Sequence, residues 1–217
     1  MDFFNLPIRT KVGRIVPKNA FDDYINTKLK KQFTDDIQRI TWTHKLSRET
    51  LNLEGKDIKE IQVFKIELKE DTEIPKILEI INKAIPYHIV FWIEFNNQAY
   101  ISTAAKHPHP TNDDISVIDW TFTSDWFEKN KNNYVLNLIG SLDSVFKDLC
   151  VQLTGKADLS EKPMDLILEN QQEVDRLQKE IARLETAISR SKQFNKKVEL
   201  NLRLRKAEKE LREINKI

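Results

Sequence analysis

The stretch HIVFWIEF, residues 88–95, is the most informative segment for the fold, because almost every residue in it is apolar. A strand of this composition is expected to be covered on both faces, as in the interior of a layered domain. Asn96 and Asn97 come directly after it and predict a hairpin turn into a second strand over residues 99–105. The stretch therefore predicts a β-sheet that has other elements packed on both of its sides.

On either side of this strand, the hydrophobic periodicity alternates between two and about 3.6 residues. Further strands are predicted over residues 36–45, 58–68 and 115–123, and helices over residues 19–33, 75–85 and 135–153. In the strand over residues 36–45, we expect Ile40, Trp42 and His44 to face the same way. The order α-β-β-α-β-β-β-α lacks the regular alternation of a Rossmann domain. It predicts an α+β fold, in which a mixed or antiparallel sheet has flanking helices.

The last 54 residues, 164–217, contain neither glycine nor proline and are rich in Glu, Lys, Arg, Leu and Ile. This composition is typical of long helices. Gly155 can end one helix and Pro163 can begin the next. The sequence therefore predicts an α+β globular domain over residues 1–155 and a C-terminal helical arm over residues 161–217.

The arm carries two sets of heptad-spaced apolar residues whose phase differs by two residues, which leaves two arrangements open. One is a continuous helix that dimerises as a coiled coil, and the other is an antiparallel helical hairpin. The first set is Val174, Leu177, Ile181, Leu184 and Ile188, and the second is Leu200, Leu204, Ala207, Leu211 and Ile214.

Charge bears on this choice, because the formal net charge of +1 is a sum of unlike parts. Residues 1–160 hold 21 basic and 23 acidic side chains, residues 161–188 hold 4 and 7, and residues 189–217 hold 10 and 4. The two halves of the arm thus carry net charges of −3 and +6. Opposite charges favour a hairpin, whereas the lack of glycine or proline at the turn favours a continuous helix.

The basic half of the arm is the candidate surface for nucleic acid or for a protein partner. Its cations could follow a phosphate backbone without reading sequence. The alternative is a solvated helix face that pairs with the acidic half. The candidate binding residues are Lys196, Lys197, Arg203, Arg205, Lys206 and Lys209.

A magnesium-dependent DNA nuclease is an alternative that rests on Asp57, Glu67 and Lys69. An acidic residue, a strand and then Glu-x-Lys would supply two carboxylates for Mg²⁺ and a lysine that orients water. Glu67 and Lys69 share one face of a strand, since they are two residues apart. The competing interpretation is that Lys65, Glu67 and Lys69 form the solvated face of an amphipathic strand. The inner face of that strand would hold Phe64, Ile66 and Leu68.

Other motifs predict no metal site and no cofactor. His107 and His109, with Asp113 and Asp114 after them, lie in a proline-containing stretch that predicts an exposed loop. Cys150 is expected to be a buried structural thiol, and a single cysteine indicates a reducing, cytoplasmic compartment. Neither a nucleotide-binding glycine loop, nor a membrane span, nor a secretory signal is predicted, and the mean hydropathy is −0.54.

Several segments together resemble a bacterial family of uncharacterised proteins, the domain of unknown function 4391. They are LPIRTKVGRIVPKNAF (6–21), ITWTHKLSRETLNL (40–53), KEIQVFKIELK (59–69), INKAIPYHIVFWIEF (81–95) and QFNKKVELNLRLR (193–205). The resemblance implies a gene beside those of helicases and DNA methyltransferases, in restriction-like or phage-defence loci. It supplies no catalytic residues. The positions that match its motifs are Trp42, Lys45, Leu46, Ile85, Pro86, Tyr87 and Lys106.

We therefore expect a non-enzymatic accessory subunit that docks onto a larger helicase or methyltransferase through its helical arm, with DNA as a further contact of the basic half. Two alternatives stay open at this point. One is the magnesium-dependent nuclease, and the other is a structural protein that self-associates, for example as a homodimer through the arm.

Overall fold

The computed structural model describes residues 3–215, apart from the side chains of residues 112–114, and forms two compact units, Met1–Ser160 and Glu161–Ile217. The strands are β1 (Lys11–Ile15), β2 (Ile37–Ser47), β3 (Glu60–Leu68), β4 (His88–Phe95), β5 (Gln98–His109), β6 (Asn112–Thr123) and β7 (Phe127–Glu128). The helices are α1 (Thr27–Asp35), α2 (Arg48–Leu51), α3 (Pro75–Ala84), α4 (Leu142–Thr154), α5 (Met164–Arg190) and α6 (Phe194–Ile214).

The first unit is built on one mixed sheet with the strand order β1-β2-β3-β4-β5-β6, and β7 pairs with β5. Strands β3 and β4 are parallel and are connected through α3, whereas the remaining pairs are antiparallel. The predicted α+β class with a mixed sheet is therefore confirmed. Strand β1 is an addition that the periodicity does not predict.

One face of the sheet packs against α1 and α3 and contains the main apolar core. Ile66 and Phe91 from the sheet meet Phe33 of α1 and Ile81 of α3 in this core, and all four are buried. The prediction that the inner face of β3 holds Phe64, Ile66 and Leu68 is confirmed.

The opposite face of the sheet is covered as well. Near the start of β4, the ring of His88 lies 4.6 Å from that of Phe146 on α4. Further along the strand, the buried ring of Trp92 stacks on Phe3 at 4.0 Å and meets Phe4 edge-on at 5.9 Å. Successive side chains of β4 point to alternate faces of the sheet, and both faces are covered. This explains why the sequence of β4 is nearly all apolar.

Two predicted helices are shorter in the structure because polar residues cap them. Residues 18–24 form a 3-10 helix, and α1 begins only after Asn26, whose side chain accepts a hydrogen bond from the Leu29 N–H at 3.0 Å. The predicted helix over residues 135–153 begins at Leu142. Gly140 has a φ of +81° and Ser141 caps α4, so the segment before them is not helical.

The expectation that Ile40, Trp42 and His44 face one way is wrong for His44. A bulge in β2 makes Trp42 the partner of Phe64 and His44 the partner of Val63. Because Phe64 and Val63 are neighbours on β3, they point to opposite faces, and so do Trp42 and His44.

The second unit is a helical hairpin, in which α5 and α6 pack against each other. Ser191 and Gln193 have extended backbones, which end α5 and reverse the chain without glycine or proline. Buried along the hairpin are Leu177 and Leu184 of α5 and Leu200 and Ala207 of α6. Among the described residues, no helix combines the length and the apolar character that a membrane crossing requires.

Candidate functional site

Asp57 lies in a loop that α4 holds in place through its backbone. The N–H groups of Lys56, Asp57 and Ile58 donate to the carboxylate of Asp143 at 2.6, 3.0 and 2.9 Å. Burial alone would raise the pKa of Asp143, but these hydrogen bonds outweigh it and the pKa is lowered. The side chain of Asp57 is exposed. The polar groups that the structure fixes in this loop are therefore backbone N–H groups, and these are already hydrogen-bonded to Asp143.

Glu67 lies at the other end of β3, so the structure does not bring it to Asp57. From Glu60, the first residue of the strand, to Glu67 an extended chain spans about 23 Å. Glu67 and Lys69 do line one shallow cleft, of about 380 Å³, together with Glu94 of the neighbouring parallel strand. The ammonium group of Lys69 donates to the Thr34 carbonyl at 2.6 Å, in the last turn of α1.

The carboxylates in this cleft are neutralised by cations, in what we call the Lys65 cluster (Arg39, Lys65, Glu67, Glu94 and Lys129). Lys65 Nζ lies 3.1 Å from Glu67 and 2.8 Å from Glu94, and Arg39 Nε lies 3.2 Å from Glu67. Burial favours a lower pKa for Lys65, but the hydrogen bonds and charges of Glu94 and Glu67 prevail and raise it. Within the described residues, no three His, Cys, Asp or Glu side chains approach one another as metal ligands would.

The remaining sequence candidates occupy separate places. The exposed loop predicted around His107 and His109 is wrong, because both residues lie in β5 and pair with β6. A ring nitrogen of His107 lies 3.0 Å from Asp119, whereas His109 contacts Thr111. The side chains of Asp113 and Asp114 lie outside the described residues. Cys150 is buried in α4, and burial raises the pKa of its thiol well above the ordinary value. A thiol of raised pKa that water does not reach is a poor nucleophile.

Lys106 is a buried cation that chemical motifs did not single out. Its ammonium group donates to the carbonyls of Asn82 and Ile85, both at 2.6 Å, at the end of α3. The carbonyls of a last helical turn lack partners within the helix and carry partial negative charge. Burial lowers the pKa of Lys106 to about 7. The pKa of His88 is lowered to about 4, by burial first and then by the positive charge of Lys106.

On the hairpin, the six predicted binding residues are exposed, but they do not lie on one side of α6. Residues of a helix are rotated by about 100° from one to the next. Lys196 and Arg203 therefore lie toward the α5 side, where Arg203 approaches Glu180 of α5 at 3.8 Å. Lys206 and Lys209 approach glutamates on α6 itself at 3.8 and 3.7 Å, and Lys196 approaches Glu199 at 3.1 Å. Lys197 and Arg205 form no ion pair with the residues that the structure describes.

Three apolar side chains form a stripe on the side of α6 that points away from α5. Phe194, Val198 and Leu202 are 78%, 44% and 63% exposed. Their spacing of four residues places them within an arc of about 80°, opposite the buried Leu200 and Ala207. We call this stripe, together with Arg205, Lys209 and Arg212 on the same side, the outer face of α6.

Sequence reasoning missed two of these features for different reasons. The stripe is detectable in the sequence, because its residues recur every four positions. The heptad pattern identifies only the residues that face α5. The juxtaposition of Glu67 and Glu94 was not detectable, because it depends on the parallel register of β3 and β4. The sequence assigns Lys65 to a solvated face for the same reason. Without the register of β3 and β4, it does not show that Lys65 pairs with both Glu67 and Glu94.

The chain belongs to the family described as Domain of unknown function (DUF4391), whose model matches residues 4–211. The match extends through both units and ends within the last turn of α6. No curated protein and no solved structure matches the chain.

Proposed function

We propose that this member of the DUF4391 family is a non-enzymatic assembly subunit of a bacterial restriction or phage-defence system. Its helical hairpin docks the chain onto a larger helicase or DNA methyltransferase. The observation that carries the proposal is the apolar stripe of Phe194, Val198 and Leu202 on the outer face of α6.

The stripe supports docking because the hairpin does not need it for its own packing. Leu184 and Leu200 are buried in the hairpin, whereas Phe194 and Leu202 leave most of their surface in water. Burial of apolar surface contributes a favourable free energy of about 25 cal/mol for each Å² that is removed from water. Aligned apolar residues on a charged helix are typical of a helix that packs on a partner.

The charged sheet face supports the non-enzymatic part of the proposal. The carboxylates of Glu67 and Glu94 each lie within hydrogen-bond distance of Lys65, so neither is free to bind Mg²⁺ without displacing a cation. Asp57, the third residue of the nuclease hypothesis, lies at the opposite end of β3.

The docking proposal is tested by co-expressing the full chain with the helicase or methyltransferase encoded beside it and measuring the affinity of the purified complex. The double variant Phe194→Ser and Leu202→Ser removes the stripe and is expected to weaken the complex at least tenfold. Asn195→Ser, on an exposed polar position of the same helix, is the matched control and should bind like the unmodified chain. Far-UV circular dichroism verifies that both variants retain the hairpin.

A complex of unchanged affinity in the double variant would overturn docking through the outer face. The nuclease alternative has its own test in the same system, because Glu67→Gln keeps the size of the side chain and removes its charge. We expect this variant to restrict phage as the unmodified protein does. Loss of restriction with an intact complex would instead support catalysis at the cleft.

A further inference from the structure

We infer that the partner segment on the outer face of α6 is an amphipathic helix with one apolar half and one acidic half. This inference rests on the proposed docking function and names the chemistry of the partner. The outer face is itself divided along its length, with Phe194, Val198 and Leu202 in its first half and Arg205, Lys209 and Arg212 in its second. From Phe194 to Arg212 it extends about 27 Å, which is five turns of helix.

The apolar half specifies a helix rather than a strand or a flat surface. Its three side chains follow one i, i+4 row, which forms a ridge on α6. A ridge of this kind fits the groove between side chains of a second helix, where apolar residues recur every three or four positions. The exposed ring of Phe194 is the anchor with the largest apolar surface of the three.

The basic half specifies acidic residues in the partner. Arg205 and Arg212 have no ion pair among the residues that the structure describes, and Lys209 lies 3.7 Å from the exposed Glu213. On α5, acidic residues are engaged by bases of the same helix, as Asp175 is by Lys179 at 2.7 Å. The positive charge of the outer face is therefore left for a partner, and aspartates or glutamates spaced over about two turns complement it.

DNA matches the basic half of the outer face but not the apolar half. Phosphates would pair with Arg205 and Arg212, but a duplex backbone offers little that would cover Leu202 and Phe194. A second copy of the chain does not match both halves at once. Two antiparallel α6 helices would set apolar residues against arginines, and two parallel ones would set arginines against arginines.

Photo-crosslinking in the assembled complex tests the inference. The residue p-benzoylphenylalanine is incorporated at position 198 in one full-length variant and at position 209 in another, and the crosslinked peptides are identified by mass spectrometry. We expect both positions to reach one helix of the same partner protein. Apolar residues should lie near position 198, and aspartates or glutamates near position 209. Crosslinks to DNA, to a second copy, or to a segment without acidic residues would overturn the inference.

Charge reversal separates this inference from the docking function. Arg205→Glu with Arg212→Glu should weaken the complex about tenfold at low salt, and the loss should shrink in 1 M NaCl. Reversing the crosslinked acidic residues of the partner to lysine should restore the affinity. If the charge reversal has no effect while Phe194→Ser with Leu202→Ser still breaks the complex, docking stands and the acidic partner is wrong. If neither pair has an effect, docking itself is wrong.

Discussion

The sheet domain and the hairpin use their apolar residues in opposite ways. In β4, side chains on both faces are buried, so that Phe91 and Trp92 are each inaccessible to water although they point in opposite directions. In α6, Leu200 and Ala207 are buried on one side, while Phe194 and Leu202 on the other side are mostly exposed.

The difference shows which apolar surface each element leaves uncovered. An element that is covered on both sides has completed its packing within its own unit, and its polar groups are paired there too, as in the Lys65 cluster. An element that is covered on one side has apolar surface left over. The contrast predicts that substitutions in the sheet change stability, whereas substitutions on the outer face of α6 change binding.

The largest expected effect on stability comes from truncating a buried side chain in the core of the sheet domain. Ile66→Ala should lower the free energy of unfolding by about 3–4 kcal/mol, because Ile66 is fully buried and the substitution leaves a cavity. Leu202→Ala should change it by less than about 0.5 kcal/mol. Urea denaturation, followed by tryptophan fluorescence for the sheet domain and by circular dichroism for the hairpin, measures both. Similar losses for the two variants would invalidate the contrast.

The next largest effect is expected at the loop that Asp143 holds. Asp143→Ala removes the acceptor of three backbone N–H groups and should cost about 2–3 kcal/mol. Asp57→Asn is the matched control, because only the backbone of Asp57 takes part, and it should cost less than about 0.5 kcal/mol.

The same carboxylate gives a pH dependence of known sign. The pKa of Asp143 is lower in the folded chain than in the unfolded one, so its stabilisation is complete above the ordinary carboxyl range. It is lost as the pH falls through the lowered pKa. Between pH 6 and pH 3, the stability of the unmodified protein should therefore decrease more steeply than that of Asp143→Asn. Parallel curves would contradict the role assigned to this carboxylate.

A smaller effect is expected from Lys106, in the alkaline range. Its pKa is about 7 in the folded chain and 10.5 ordinarily, so above pH 7 the unfolded chain binds a proton that the folded chain lacks. Stability should rise with pH in that range and stay level below it. From pH 7 to pH 9, the unmodified protein should gain roughly 2 kcal/mol relative to Lys106→Met. If the free energy of unfolding changes equally with pH in both proteins, the ammonium group is not desolvated.

The smallest effect is expected for the ion pair between Arg203 and Glu180, which joins the two helices of the hairpin. Both side chains are partly exposed and their atoms are 3.8 Å apart, so a double-mutant cycle with alanine should give a coupling of about 0.5 kcal/mol or less. High salt should abolish it. A coupling above about 1 kcal/mol would mean that charge, rather than the buried leucines, holds the hairpin together.

Local patterns were sufficient for most of the fold and for part of the candidate site. The apolar run of β4, the helix α3 and the heptad residues Leu177 and Leu200 could be assigned because each depends on nearby residues. The errors lie where a polar side chain competes with a helix, as Asn26 does, or where a strand contains a bulge, as β2 does. Periodicity does not register a cap or an inserted residue. A cap moves the start of a helix, and an inserted residue turns the next side chains of a strand to the other face.

The α+β class, the helical character of the last 54 residues and the opposite charges of the two halves of the arm follow from the amino-acid sequence alone. These properties depend on composition and short-range periodicity, which survive without knowledge of contacts. The three-dimensional structure was needed to show that the arm folds back as a hairpin and that Glu67 lies beside Glu94 rather than Asp57. It was also needed to show that Phe194, Val198 and Leu202 are left uncovered. Each of these depends on which residues become neighbours in space, and register and packing set those neighbours.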